Sequence, residues 1–130
     1  MARVLALVPD LLFGSRVQGA LTAAGVEFEL LGDEGRLRER LADRAAPPPA
    51  VLIVDLTDAS LDGAGLVESL ALGGELVRTR TLGFYSHVDA QARERAERAG
   101  FDMVVPRSRM AREGAQLVAR LAGTASPAGG

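Results

Sequence analysis

At 130 residues, with a net charge of −2 from 15 basic and 17 acidic residues, the chain is the size of one domain. Cysteine is absent, which excludes disulfides, thiolate catalysis and thiolate metal sites together and fits a reducing, cytoplasmic setting. A chain this long buries roughly two-thirds of its unfolded surface and needs no covalent or metal staple.

Every basic residue is Arg, and the sequence contains neither Lys nor Asn. This reads as a compositional bias, so a site that ordinarily wants Lys is expected to show Arg here. The arginines are interleaved with acids, as in Arg93-Glu94-Arg95 and Arg36-Leu37-Arg38-Glu39-Arg40. A nucleic-acid binder concentrates its basic charge on one face. Aromatic residues are 4% of the chain, too few for base-stacking platforms. Binding to nucleic acid is therefore not expected. The apolar start is cut by Pro9-Asp10, short of a signal-peptide core, and no apolar run approaches the roughly 20 residues that cross a bilayer. No membrane association is expected.

Residues 3–8 read as a buried strand. Residues 11–24 follow as a helix with Phe13, Val17, Leu21 and Ala24 on one face and Gly25 as its stop. Residues 26–31 alternate Val26, Phe28 and Leu30 with Glu27 and Glu29, the pattern of a second strand. After the Gly32-Asp33 turn, residues 34–44 form a polar helix anchored by Leu37 and Leu41. Pro47-Pro48-Pro49 makes residues 45–50 a loop rather than a domain linker, since too little chain precedes it for a separate core.

The third strand is predicted over 51–54, and a helix over about 62–72 turns Leu66, Val67 and Leu70 inward before Gly73-Gly74. A fourth strand is placed near 81–85. The helix over 90–99 has an inner face of Ala92, Ala96 and Ala99 and ends at Gly100. Residues 101–105 are the fifth strand, and 111–121 the last helix, with Leu117, Val118 and Leu121 inward. The domain is expected over 1–122, with a frayed tail over 123–130. Strands alternating with helices predict an α/β fold: a parallel sheet covered on both faces, flavodoxin-like, in the order 2-1-3-4-5.

In that order the strand tips gather Asp10, Asp55, Ser86 with His87, and Arg107 at one crevice. Val51-Leu52-Ile53-Val54-Asp55 ends a short apolar run in a carboxylate, and Asp62-Gly63 follows seven residues later. This segment resembles the phospho-acceptor segment of two-component receiver (CheY-like) domains, with Ala59 where a Pro usually stands. Val104-Val105-Pro106-Arg107-Ser108 resembles the receiver strand that ends in Lys-Pro, with Arg107 on the Lys position. The resemblance covers the element order of nearly the whole chain. It implies a CheY-like three-layer sandwich, Asp55 as the phosphoryl acceptor, Ser86 and Arg107 contacting phosphoryl oxygens, and Asp10 with Asp55 holding Mg²⁺ weakly.

The chain also departs from that pattern. Val8-Pro9 stands where receivers carry a pair of acids, so Asp10 is one residue late. Ser86 reaches the hydroxyl position only with a one-residue gap; without it Tyr85 falls there. Val104 replaces the aromatic switch residue of the fifth strand. The reading that results is an atypical receiver-like signalling domain, not an enzyme, with degraded phosphorylation chemistry and an output through protein contact. Its competitors are a working phospho-receiver served by a histidine kinase, and a small-molecule-binding module. The last is disfavoured by short crevice loops and the lack of a phosphate-cradling glycine motif.

Asp58 and Asp62 read more simply as turn and N-cap residues than as ligands. Ser86-His87-Val88-Asp89 is contiguous and cannot form a relayed triad, and the single His excludes a His-cluster metal site. Arg107 is expected to point at Asp55. The mixed charges of residues 90–121 suit a homodimer through that face.

Overall fold

The computed structural model describes residues 3–124. Its elements run β1 (Arg3–Leu7), α1 (Leu11–Ala23), β2 (Glu27–Leu31), α2 (Glu34–Ala42), β3 (Val51–Asp55), α3 (Gly63–Leu72), β4 (Arg80–Tyr85), α4 (Ala90–Ala99), β5 (Met103–Pro106) and α5 (Arg107–Thr124). All five strands are parallel, in the order β2-β1-β3-β4-β5. This is the predicted topology.

Strand alternation divides the core in two. Val4, Ala6, Val51, Ile53, Leu82 and Phe84 pack on Phe13, Val17 and Leu21 of α1 and on Met110, Leu117 and Val118 of α5. Leu5, Leu7, Leu52 and Val54 face the other way, against Leu37 of α2, Leu66, Val67 and Leu70 of α3 and Ala96 of α4. Successive strand side chains point to opposite faces, so a strand buried on both sides is apolar throughout, as in Val51-Leu52-Ile53-Val54.

Most element ends lie within two residues of the sequence reading, with α2 ending at Ala42 and β5 starting at Met103. Ala24 is exposed and only caps α1. The last helix begins at Arg107, four residues before the predicted start. Arg107-Ser108-Arg109 reads as polar loop, yet Met110 at the next position is 1% exposed and fixes this turn against the sheet. The predicted tail over 123–130 overlaps α5 as far as Thr124, and its other residues lie outside those described.

Gly83 shows how closely β4 is packed. A Cβ at this position would lie 2.7 Å from Leu56 Cδ1 and 2.9 Å from Phe101 Cε2. Phe101 is itself buried and has little room to withdraw. Gly83→Ala is therefore expected to destabilise the domain by about 1–3 kcal/mol, the usual range for overpacking. Urea unfolding of the two proteins measures it.

Candidate functional site

The tips of β1, β3, β4 and β5 deliver the candidate residues to one edge of the sheet, and each is held there by its own local chemistry. Asp10 follows β1 and is the N-cap of α1. Its Oδ1 accepts from the backbone N–H of Leu12 at 3.1 Å and of Phe13 at 3.2 Å. Its Oδ2 accepts from Arg107 Nη2 at 2.9 Å. These contacts, led by the Phe13 N–H, hold the Asp10 carboxyl below the ordinary carboxylate range.

Asp55 ends β3 and is 1% exposed. Its Oδ1 accepts twice from Thr57, from the backbone N–H at 2.7 Å and from Oγ1 at 2.6 Å. Its Oδ2 accepts no hydrogen bond among the described residues and retains a sliver of solvent contact. Burial pushes the Asp55 pKa up, the Thr57 hydrogen bonds oppose that rise, and the Arg107 charge opposes it least.

Arg107 is the first residue of α5, and its guanidinium lies over the Phe13 ring, 4.3 Å from the centroid. A contact of this kind is worth about 0.5–1 kcal/mol at a partly exposed site. Phe13 in turn packs on Phe84, with ring centroids 4.9 Å apart. Arg107 is thus fixed between the Asp10 carboxylate and an aromatic floor. The expected orientation toward Asp55 is corrected: the partner is Asp10, because α1 and α5 pack side by side and the Asp10 cap sits at the mouth of that seam. Ser86 follows β4 and lines a cleft of about 360 Å³ together with Thr57 and Arg107, a cleft that Tyr85 does not line.

The sequence matches no family model, and no curated protein matches it significantly. Solved structures do match over nearly the whole chain. A CheY-like response regulator receiver domain protein from Methanospirillum hungatei superposes with a TM-score of 0.81 at 14% identity, covering 99% of each chain. The receiver domain of NtrX from Brucella abortus gives 0.79 at 19% identity, over 93% of this chain and 98% of that one. Chemotaxis protein CheY4 of Vibrio cholerae gives 0.75 at 21% identity, over 93% and 98%.

The chain has the receiver-domain fold.

Within the receiver fold, the Mg²⁺ implied by the sequence resemblance does not fit the residues present. Both Asp10 oxygens are engaged, one by the α1 N–H groups and one by a guanidinium. Val8 is fully buried and apolar, and the Pro9 side chain carries no donor atom. Mg²⁺ demands several hard oxygens in near-octahedral array, which the Asp55 side chain alone does not supply. Among the described residues no three His, Cys, Asp or Glu side chains cluster as a metal set. In this structure Asp10 is a helix cap and ion-pair partner. Asp58 and Asp62 do act locally: Asp58 Oδ1 accepts from the Ser60 N–H and hydroxyl, and Asp62 caps α3 and receives Arg95 at 2.9 Å.

Sequence reasoning missed two residues at this edge. Thr57, two positions beyond Asp55, is its only hydrogen-bond partner among the described residues. Acid-x-Thr at a strand end is a local hydrogen-bonding pattern that could have flagged it. Arg16 lines the same cleft as Ser86 and Arg107. No local signal marks it, since only the packing of α1 beside α5 brings it there.

Proposed function

We propose that this chain is an atypical receiver domain that works in signalling through protein–protein contact and does not run a metal-dependent phosphoryl cycle on Asp55. The observation that carries this is the engagement of Asp10. A carboxylate that caps α1 and grips Arg107 is not free to hold Mg²⁺. In this reading the domain is not an enzyme, and its partner is a protein that recognises the surface of the fold.

The competing reading, a working phospho-receiver served by a histidine kinase, is favoured by one feature: Asp55 Oδ2 accepts no hydrogen bond among the described residues. Incubation with Mg²⁺ and a small phosphodonor, followed by intact mass measurement, separates the two. No covalent adduct is expected on the wild type. An adduct that is lost in Asp55→Asn would overturn the proposal.

A further inference from the structure

The turn between α3 and β4 carries bare apolar surface and unmet charge together. Gly73 caps α3, and Gly74 follows in the left-handed conformation, φ 77°. The chain then folds back on itself. The Glu75 N–H donates to the Leu70 carbonyl at 2.9 Å, and the Thr79 N–H to that of Leu76 at 3.1 Å. Leu76 packs against the core, and Thr79 is buried with its Oγ1 on the Pro49 carbonyl. Val77 and Arg78, between them, are turned outward. Val77 is 83% exposed, and Leu72, on the other side of the glycines, 85%.

Val77 and Arg78 form a ridge with a hollow on each side. One hollow, of about 340 Å³, is walled by Pro47, Pro48 and Pro49; the other, of about 300 Å³, by Val67, Ala71 and Leu76. The proline wall is fixed in place, because Arg3 Nη1 donates to the Pro47 carbonyl at 2.6 Å and Thr79 Oγ1 to that of Pro49 at 2.8 Å. A ridge beside a hollow fits a rotated copy of itself. Charge has the same property. Arg44 and Arg78 line the first hollow together with Asp43 and Glu75, two charges of each sign, while Arg40 there is already paired with Glu29. The side chains of Arg44, Glu75 and Arg78 make no hydrogen bond or ion pair among the described residues, and that of Asp43 accepts only from the Ala45 N–H.

The face over residues 90–121 is different. Arg93, Arg98 and Arg109 each pair with a Glu four residues away, and no large apolar side chain of that face stands exposed. Its charges are answered within its own helices.

We infer that two copies of this chain associate about a two-fold axis through the α3–β4 turn, at the sheet edge opposite Asp55. In such a contact one patch meets itself, so every pairing occurs twice. Val77 of each copy enters a hollow of the other, and Glu75 of each faces Arg78 of the other. Burial of aliphatic surface supplies the affinity, and the opposed charges set the register. The inference goes beyond the proposed function, since it concerns a second copy rather than the signalling partner.

Sedimentation equilibrium of the full chain tests it. A contact built on one turn lies at the low end of interface size, so a monomer–dimer equilibrium is expected with a dissociation constant on the order of 100 µM, weakening as salt rises. Val77→Asp, at an exposed position, should leave the melting temperature unchanged and weaken the dimer at least about tenfold. Arg78→Glu should weaken it several-fold, and Glu75→Arg combined with Arg78→Glu, which exchanges the two signs, should restore it. Arg98→Glu, on the other face, should dimerise like the wild type. A chain that stays monomeric at about 1 mM in low salt, tenfold above the expected constant, would overturn the inference. So would a dimer that Val77→Asp leaves intact or that Arg98→Glu dissociates. None of these outcomes changes the intact mass after phosphodonor treatment, so the dimer and the reading of Asp55 fail separately.

Discussion

Phe84→Ala is expected to remove about 3–5 kcal/mol of stability, the usual cost of deleting a buried aromatic side chain. Phe84 is fully buried on β4, one strand in from the edge, and its ring meets Phe13 with centroids 4.9 Å apart at a tilt of 43°. Neighbours on both sides limit collapse of the cavity, since α1 and α5 close over the same face. Domains of this class have about 5–15 kcal/mol in total, so the variant loses a large share. At roughly 4 °C per kcal/mol, the melting temperature should fall by about 12–20 °C. Denaturant titration should show a lower midpoint with an unchanged slope. A loss under about 1 kcal/mol would mean that Phe13 swings in to refill the space. In that case the ring contact under Arg107 would be lost as well.

The strands were legible because their burial is two-sided and their residues apolar, and the two-sided core follows directly from period-two alternation of Val4, Ala6 and Val8 with Leu5 and Leu7. Glycine stops were equally plain: Gly100 takes the left-handed conformation, φ 99°, that ends α4. The start of α5 was hidden because three polar residues precede the first buried one, Met110. The capping role of Asp10 went unread although its signal was present. An Asp directly before an apolar helical run is an N-cap, and Asp33, Asp62 and Asp89 cap α2, α3 and α4 in the same way. Family resemblance drew attention to Asp10 as an acid of the crevice and away from its local role. Arg107 was placed at the correct edge but given the wrong partner, because strand-tip position does not fix where a long side chain turns. That depends on Phe13 and Asp10, distant in sequence and adjacent only once α1 packs on α5.

Asp55→Asn is expected to stabilise the domain at neutral pH. Asn keeps the Oδ1 acceptor for both Thr57 donors, so the hydrogen bonds at 2.6 and 2.7 Å survive while the buried charge is removed. The sign follows from the raised pKa, whose first cause is desolvation. An acid whose folded pKa lies above its unfolded value of 3.8 holds more protons in the folded state between those two values. Stability therefore falls as pH rises through that window, and the cost is fully present above the folded pKa. Asn carries no such cost, and relief of a partly compensated buried charge is on the order of 1 kcal/mol. The variant should melt about 4 °C higher near pH 7. The gap should close as the solution is acidified through the folded pKa. Arg107 acts in the opposite direction, since its field favours the ionised acid, but it is the smallest of the influences on Asp55. Melting curves of both proteins from pH 4 to pH 8 decide the balance. A variant less stable than wild type at pH 7 would mean that the crevice stabilises ionised Asp55. The charge would then be ready for chemistry, and the phospho-receiver reading would regain the advantage.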